Sequence, residues 1–280
     1  MELRIATCNP LPEPDVDEEL LLAALRSHGV DAQVLAWNDA TESWDRRGVT
    51  LLRSTWDYIH DLDAFRSWLA RVERAGALWN PRPVVEANLH KGYLFDLARR
   101  GVPIVPTELF GRGGSASLKA LGSRRGWTEV VVKPAVGAGS FSTRRFGEKT
   151  RDDGEAFLEE SLSERDMLVQ PYLDSVDDYG ERALVWIDGE FTHAVRKTPR
   201  FSGQDEQVSE ALELSSDERA LGNAALAGLS AQLLYARVDV AHGADGQLCV
   251  MELELIEPSL FLRQSPRALE RFAAAIARRL

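Results

Sequence analysis

Cysteine is scarce in this chain: among 280 residues only Cys8 and Cys249 carry thiols, far apart and each in an apolar, strand-like run. Such a pair reads as two reduced core side chains, not as a disulfide framework, and fits a cytoplasmic setting. No apolar stretch reaches the roughly 20 residues that a membrane helix needs. The opening Met1-Glu-Leu-Arg-Ile-Ala6 has neither a basic n-region nor a long apolar segment, so export is not expected. Basic residues are in the minority, with 33 Lys and Arg against 44 Asp and Glu and a net charge of −11. That balance repels nucleic acid and anionic membranes in general, while leaving room for a local basic cleft. Heptads, internal repeats and low-complexity tracts are missing, which excludes coiled coils and solenoids. What remains is a soluble globular chain, 44% hydrophobic, whose length suggests two or three subdomains around a cleft.

The first eighty residues alternate strand and helix. Leu3 to Cys8 is apolar, Asp15 to Ser27 repeats leucines at helical spacing up to Gly29, and Ala32 to Trp37 is extended again. Val49 to Ser54 follows, then a helix from Asp61 to Arg74 with Leu62, Phe65, Trp68, Leu69 and Val72 on one face. In parallel sheets ligands bind beyond the carboxyl ends of strands, so Arg53-Ser-Thr-Trp-Asp-Tyr58 is either a substrate loop or a loop around a packed Trp56. Asn80-Pro-Arg-Pro83 marks a domain boundary. A helix is expected from about Val85 to Arg100, ending at Gly101, and strands joined by short turns from Val130 onward.

Two turns carry more information. Asp188-Gly189 between apolar runs predicts a hairpin with a two-residue loop. Arg182 then faces Val195, and Arg182, His193 and Lys197 share a basic face. Asp245-Gly246 predicts a second hairpin in which a two-residue loop sets Asp239 opposite Glu252, with Glu254 on the same face; a three-residue loop would break that arrangement.

Three carboxylates on one face repel each other unless a cation sits among them, and oxygen-only ligands suit magnesium or manganese. The bland alternative is an exposed acidic face above Leu248, Val250, Leu253 and Leu255. Lys133 ends a Val-Val-Val run and is followed at once by Pro134-Ala-Val-Gly-Ala-Gly-Ser140. Glycines let backbone approach phosphate oxygens, and Ser140 and Thr143 add donors, although the lysine precedes the glycines and this is no Walker loop. An ammonium in one strand and carboxylates in another imply a charged ligand between them, read here as ATP with magnesium. Leu168-Val-Gln-Pro-Tyr-Leu173 offers backbone groups and Gln170 to a purine edge, or is an ordinary strand, and Asp177 or Asp178 lies within reach of a ribose hydroxyl. His193 is either a base or a satisfied structural histidine.

The order Lys91, Lys133 with its glycine turn, Gln170-Pro-Tyr-Leu173, Arg182, Lys197, Asp239 and Glu252-Leu-Glu254 resembles the ATP-grasp ligases over roughly residues 85–265. Arg53-Ser-Thr-Trp-Asp-Tyr58, Lys91-Gly-Tyr-Leu94, His193-Ala-Val-Arg-Lys197 and Glu252-Leu-Glu-Leu-Ile-Glu-Pro-Ser259 are similar to the small bacterial branch that includes the cycloserine-pathway cyclo-ligase, and more distantly to glutathione synthetase and ribosomal-protein glutamate ligases. The resemblance implies an α/β (α+β) ATP-grasp fold. Its parts would be a Rossmann-like N-terminal domain (1–84), a central lid domain (85–169) and a C-terminal antiparallel-sheet domain (170–280). It also implies Lys91 and Lys133 on the phosphates and Gly137, Gly139 and Ser140 in a mobile lid. Gln170, Tyr172 and Leu173 would surround adenine, next to the Asp177 or Asp178 already placed near the ribose, and Asp239, Glu252 and Glu254 would hold the metal. Arg182, Lys197 and Arg237 are the implied catalytic cations. Glu254 stands where many relatives have Asn, which adds a negative charge, and Gly92 replaces a bulkier residue.

The implied reaction is attack of a carboxylate on the γ-phosphate of ATP, then displacement of phosphate from the acyl-phosphate by an amine or by a nucleophile of the same substrate. Electrostatics would carry the first step, and a closed lid would exclude water from the second. The substrate is expected to be small and amino-acid-like, contacting Arg53 to Tyr58, Arg237 and Glu257 to Phe261, with a homodimer among the options for assembly. Two other readings are a nucleotide-binding regulator without turnover and a kinase releasing a stable phosphorylated product. Products separate the three, since only ligation yields ADP, free phosphate and a condensed product.

Overall fold

The computed structural model describes residues 2–198 and 207–280. The βα pattern at the start becomes β1 (Leu3–Thr7), α1 (Glu18–Ser27), β2 (Ala32–Ala36), β3 (Val49–Ser54), α2 (Leu62–Ala75) and β4 (Leu78–Trp79), with the strands parallel in the order β2-β1-β3-β4. Every residue of β3 is buried, as for a strand covered on both faces. The Asp61 carboxylate caps α2 by accepting from the Ala64 amide at 3.0 Å, and the helix buries Phe65, Trp68, Leu69 and Val72 as their spacing requires. It ends at Gly76, where a Cβ would lie 1.9 Å from the Gly48 carbonyl oxygen, so only glycine fits.

The single helix expected over residues 85–100 is two: α3 (Arg82–Asn88) and α4 (Tyr93–Arg99). Between them the Gly92 amide donates to His90 Nδ1 at 2.9 Å and the Lys91 amide to the Ala135 carbonyl at 2.7 Å, so both leave the helical ladder. A Cβ on residue 92 would come within 2.8 Å of that imidazole nitrogen, which accounts for the glycine. The second sheet follows, from β5 (Glu108–Phe110), α5 (Leu118–Arg125), β6 (Val130–Pro134), β7 (Arg144–Phe146), α6 (Arg151–Glu164) and β8 (Met167–Pro171), antiparallel in the order β5-β8-β6-β7. Period-2 alternation sends Val130, Val132, Met167 and Val169 onto Leu118, Leu121, Phe157 and Leu158 of the helices. Val131, Lys133 and Gln170 are left to the opposite side, a cleft. β8 runs across the boundary expected between residues 169 and 170.

After α7 (Ser175–Asp178), the third sheet holds β9 (Glu181–Ile187), β10 (Glu190–Lys197), β11 (Tyr235–His242) and β12 (Leu248–Glu254) in the order β10-β9-β11-β12, with α8 (Ser216–Leu226) before β11 and α9 (Pro266–Arg279) at the end. The expectation of strands and short turns beyond Val130 therefore misses α6, α8 and α9. α9 places Phe272 and Ile276 in one core with Leu21 and Leu25 of α1, which ties the end of the chain to its beginning.

Both hairpins form, with registers that differ from the expected ones. The Asp188-Gly189 loop has two residues, since Ile187 pairs with Glu190, but Val185 pairs with His193 and Thr192 bulges out. The Thr192 hydroxyl donates to the Val185 carbonyl at 3.2 Å, a group that the ladder would otherwise use. Arg182 consequently faces Arg196, not Val195, and lies on the sheet face opposite His193 and Lys197. In the second hairpin the Gly243 amide bonds the Gln247 carbonyl at 2.8 Å, which makes the loop three residues long. A bulge between Asp239 and Val240 on one side and Val250 and Glu252 on the other restores the expected pair of Asp239 with Glu252. The bulge has a cause: Val250 turns its amide to the Pro103 carbonyl at 2.9 Å and its carbonyl to the Val105 amide at 3.0 Å. Cys8 and Cys249 are buried free thiols. Among the described residues, no helix is long and apolar enough to cross a membrane.

Candidate active site

Between the second and third sheets lies a cavity of about 640 Å³, whose lining includes the loop after β3. Lys91, Lys133, Gly137, Gly139, Ser140, Gln170, Tyr172, Leu173, Lys197, Arg237, Asp239, Glu252 and Glu254 all line it. They come from separate segments and meet because β6 and β12 present their polar alternation to the same space.

The lysines meet one carboxylate. Lys91 Nζ is 2.7 Å from Glu252 Oε1 and Lys133 Nζ 3.5 Å from Oε2, while Lys91 also donates to the Gly137 carbonyl at 2.7 Å. Burial resists ionisation of Glu252, but the two ammoniums outweigh it and hold the carboxyl at about 2. Past Lys133 the chain makes two consecutive turns, Phe141 amide to Ala138 carbonyl at 2.9 Å and Thr143 amide to Ser140 carbonyl at 3.1 Å. Gly139, Ser140 and Ser142 have φ of 56°, 58° and 52°, the left-handed region that costs a non-glycine residue about 1 kcal/mol. This glycine turn forms one lip of the cavity, and Phe141 on it meets the His60 ring edge-on at 5.3 Å.

Deeper on the third sheet, the Asp239 carboxylate takes the Arg237 Nε and Nη2 at 2.9 Å each and Lys197 Nζ at 2.7 Å. Lys197 also reaches Glu181 Oε1 at 2.5 Å, and Arg237 contacts Glu254. Burial opposes the charge on Asp239; Arg237 and Lys197 reverse this and hold it well below the ordinary carboxylate range. Burial, with Asp239 and Glu252 nearby, pushes Glu254 up to about 7. The three carboxylates thus share a face but not a point. Their repulsion is answered by Arg237, Lys197, Lys91 and Lys133, and among the described residues no group of three His, Cys, Asp or Glu side chains is arranged to hold a metal. Glu252 and Glu254 still offer hard carboxylate oxygens to the cavity, a donor chemistry that fits magnesium.

At the outer end Gln170 donates to Thr107 Oγ1 at 2.9 Å, and the Tyr172 hydroxyl donates to Asp177 Oδ1 at 2.6 Å with the Arg145 guanidinium 3.4 Å above its ring. Gln170, Tyr172 and Leu173 line this part of the cavity together. The two stretches expected at the substrate also meet: Trp56 Nε1 donates to the Glu257 carbonyl at 3.1 Å and Arg53 to the Pro258 carbonyl at 3.0 Å. Trp56, Tyr58, Glu257 and Ser259 line the cavity, while Arg53 is a strut behind them.

Two expected site residues stand elsewhere. Arg182 is outside the cavity lining; its Nε lies 3.1 Å from Glu218 and its guanidinium lies over Tyr179. Asp178 is exposed on α7 and does not line the cavity either. His193 is buried away from it, beside the Thr192 hydroxyl at 2.9 Å, and fits the structural reading. Glu181 and His60 line the cavity without having been singled out. With the bulge at Thr192, Glu181 falls opposite Lys197, so the signal for it lay in a register that the loop type alone does not give.

Two lysines from separate segments thus close on one carboxylate, between two antiparallel sheets behind a parallel α/β domain. Residues 3–80 match the family model described as the N-terminal domain of D-cycloserine synthetase DcsG. Over 282 aligned residues the chain is 35% identical to the cycloserine biosynthesis protein DcsG of Streptomyces lavendulae, covering 95% of this chain and 94% of that protein. The crystal structure of D-cycloserine synthetase DcsG superposes with a TM-score of 0.90 at 34% identity, over 100% of this chain and 99% of the other. The ATP-grasp ligase PsnB, solved with minimal precursor, Mg and ADP, gives 0.62 at 21% identity over 98% and 97% of the two chains, a likeness of fold. The chain belongs to the DcsG family of ATP-grasp ligases, and is an ATP-dependent, ADP-forming carboxylate–amine ligase.

Proposed function

We propose that this ligase closes a cyclic amide within one small amino-acid-like substrate. The paired closure of Lys91 and Lys133 on Glu252, inside a cavity that the loop after β3 also lines, carries this reading. The likeness to a cycloserine biosynthesis protein over nearly the whole chain favours ring closure over joining two molecules.

ATP would lie with adenine against Gln170, Tyr172 and Leu173, and with its phosphates along Lys133, Lys91 and the turn at Gly137 to Ser140. In the first step a substrate carboxylate oxygen bonds to the γ-phosphorus and the bond to the ADP oxygen breaks. Lys197 and Arg237 would face the charge that gathers there, and removing one such aligned donor costs about 10²- to 10³-fold in rate. In the second step the substrate's distal nitrogen bonds to the acyl carbon, phosphate leaves with the electron pair of the acyl C–O bond, and the nitrogen gives a proton to solvent. The glycine turn would keep water from that acyl-phosphate. Magnesium, with manganese as a substitute, would be held by Glu252 and Glu254 and would neutralise polyphosphate charge. Asp239 belongs to the same expected ligand set and meanwhile anchors Arg237 and Lys197. Two unpaired thiols favour a cytoplasmic setting.

The test is incubation with ATP, magnesium and an amino-acid panel that includes O-amino-D-serine, with phosphate release and product mass as readouts. A product lighter than its acid by one water supports ring closure. A product combining two acids would replace it with intermolecular ligation, and ADP without free phosphate would indicate a kinase.

A further inference from the structure

The cavity sorts its charges. Lys91 and Lys133 are engaged with Glu252, Lys197 with Asp239 and Glu181, and Arg237 with Asp239 and Glu254. Glu257 differs from these carboxylates. It is 7% exposed and lines the cavity, and among the described residues it forms no ion pair with a Lys, Arg or His. Its polar neighbour is the hydroxyl of the buried Tyr58. The backbone there is pinned, by Trp56 on the Glu257 carbonyl at 3.1 Å and by Arg53 on the Pro258 carbonyl at 3.0 Å. A buried carboxylate without a directly paired cation is costly, and the Lys91 ammonium that acts on this one is itself bonded to Glu252, in a space that a ligand must enter.

We propose that Glu257, backed by Tyr58, is the seat of the substrate's α-ammonium group. The inference rests on the amino-acid reading of the same cavity and narrows it to zwitterions with a free α-amine. An amino acid brings one negative and one positive group; its carboxylate belongs with Arg237, Lys197 and the γ-phosphate, and its ammonium finds its counter-charge at Glu257. Burial, with Glu254 nearby, pushes the Glu257 carboxyl up to about 8 in the free protein, a penalty that a bound cation would relieve. The seat also decides which nitrogen reacts. An ammonium held on a carboxylate stays protonated and is no nucleophile, so the acyl-phosphate is left to the second, unprotonated nitrogen.

The experiment compares O-amino-D-serine with 3-(aminooxy)propanoic acid, which has the same carboxylate and distal nitrogen but no α-amine, by phosphate release and product mass with ATP and magnesium. The wild type should prefer the amino acid on the order of 10²-fold in kcat/KM, the usual loss when one partner of a buried charge pair is removed. Glu257→Gln should lose most of that preference through KM for the amino acid with KM for ATP unchanged, and Glu257→Asp should retain part of it. A purely structural Glu257 would lower both substrates alike and leave the ratio intact, which overturns the inference. Wild-type enzyme treating both acids equally also overturns it, whether or not the variants fold. If the wild type releases no phosphate with any acid of the panel, the substrate reading fails and this inference with it.

Discussion

Lys91 Nζ stands 2.7 Å from Glu252 Oε1, although one residue belongs to a break between two helices and the other to the last strand of a different sheet. Lys133 joins from a third segment at 3.5 Å. The free protein thereby balances cations that a polyphosphate would otherwise claim, and that balance governs what substitution should do.

Lys133→Ala should weaken ATP binding by about 10- to 100-fold, the range expected when a charge-assisted contact to a phosphate is lost. Titration calorimetry with ATP and magnesium reads this directly. An unchanged affinity would show that the glycine turn and its lysine do not meet the phosphates.

Glu252→Gln keeps size and shape while removing the charge that the two lysines share. Magnesium-dependent ADP release should fall on the order of 10²- to 10³-fold, with the circular dichroism spectrum preserved. Turnover at the wild-type rate would take Glu252 out of the metal site.

Asp239 is 1% exposed and answers two buried cations, so Asp239→Ala leaves Arg237 and Lys197 without their shared anion. Removing one partner of such a buried network costs about 3–5 kcal/mol, measurable by urea unfolding at neutral pH. The pH dependence has a fixed sign. The carboxyl is held below its unfolded value, so its contribution is complete above the ordinary aspartate range near pH ~4 and disappears as pH falls through the folded value. The acid limb of the stability curve should therefore flatten in Asp239→Asn. A limb identical to that of the wild type would mean that Asp239 is not the group that holds it.

Arg182→Ala should leave kcat within about threefold of wild type and cost roughly 1–3 kcal/mol of stability, because its partners are Glu218 and Tyr179, outside the cavity. A loss of kcat beyond 10²-fold with normal stability would return Arg182 to the reaction.

Much of the site is legible in one dimension because strand alternation fixes which side chains share a face. Lys133 follows Val130-Val-Val132, and every second position of β6 is apolar, so the ammonium had to leave the helix-covered face. The same rule places Glu252 and Glu254 together. Arg182 was misassigned by that rule, since a period of two makes any one-residue slip an inversion. The slip comes from a side-chain hydrogen bond of Thr192 that no turn type predicts.

From sequence alone follow the parallel α/β start, the two hairpins, the lysine before its glycine turn and the acidic face of the last strand, because periodicity and turn chemistry are local. Tertiary structure decided that Asp239 meets Glu252 through a longer loop and a compensating bulge, that Lys91 leaves its helix toward the cleft, and that Glu257 comes to rest beside Tyr58 with no cation bonded to it among the described residues. Each of these depends on partners more than a hundred residues away or on backbone groups borrowed by another segment, such as Val250 by Pro103 and Val105. Contacts of that kind arise only when the chain packs, where the cost of unpaired buried groups selects among registers that local propensity leaves nearly equal.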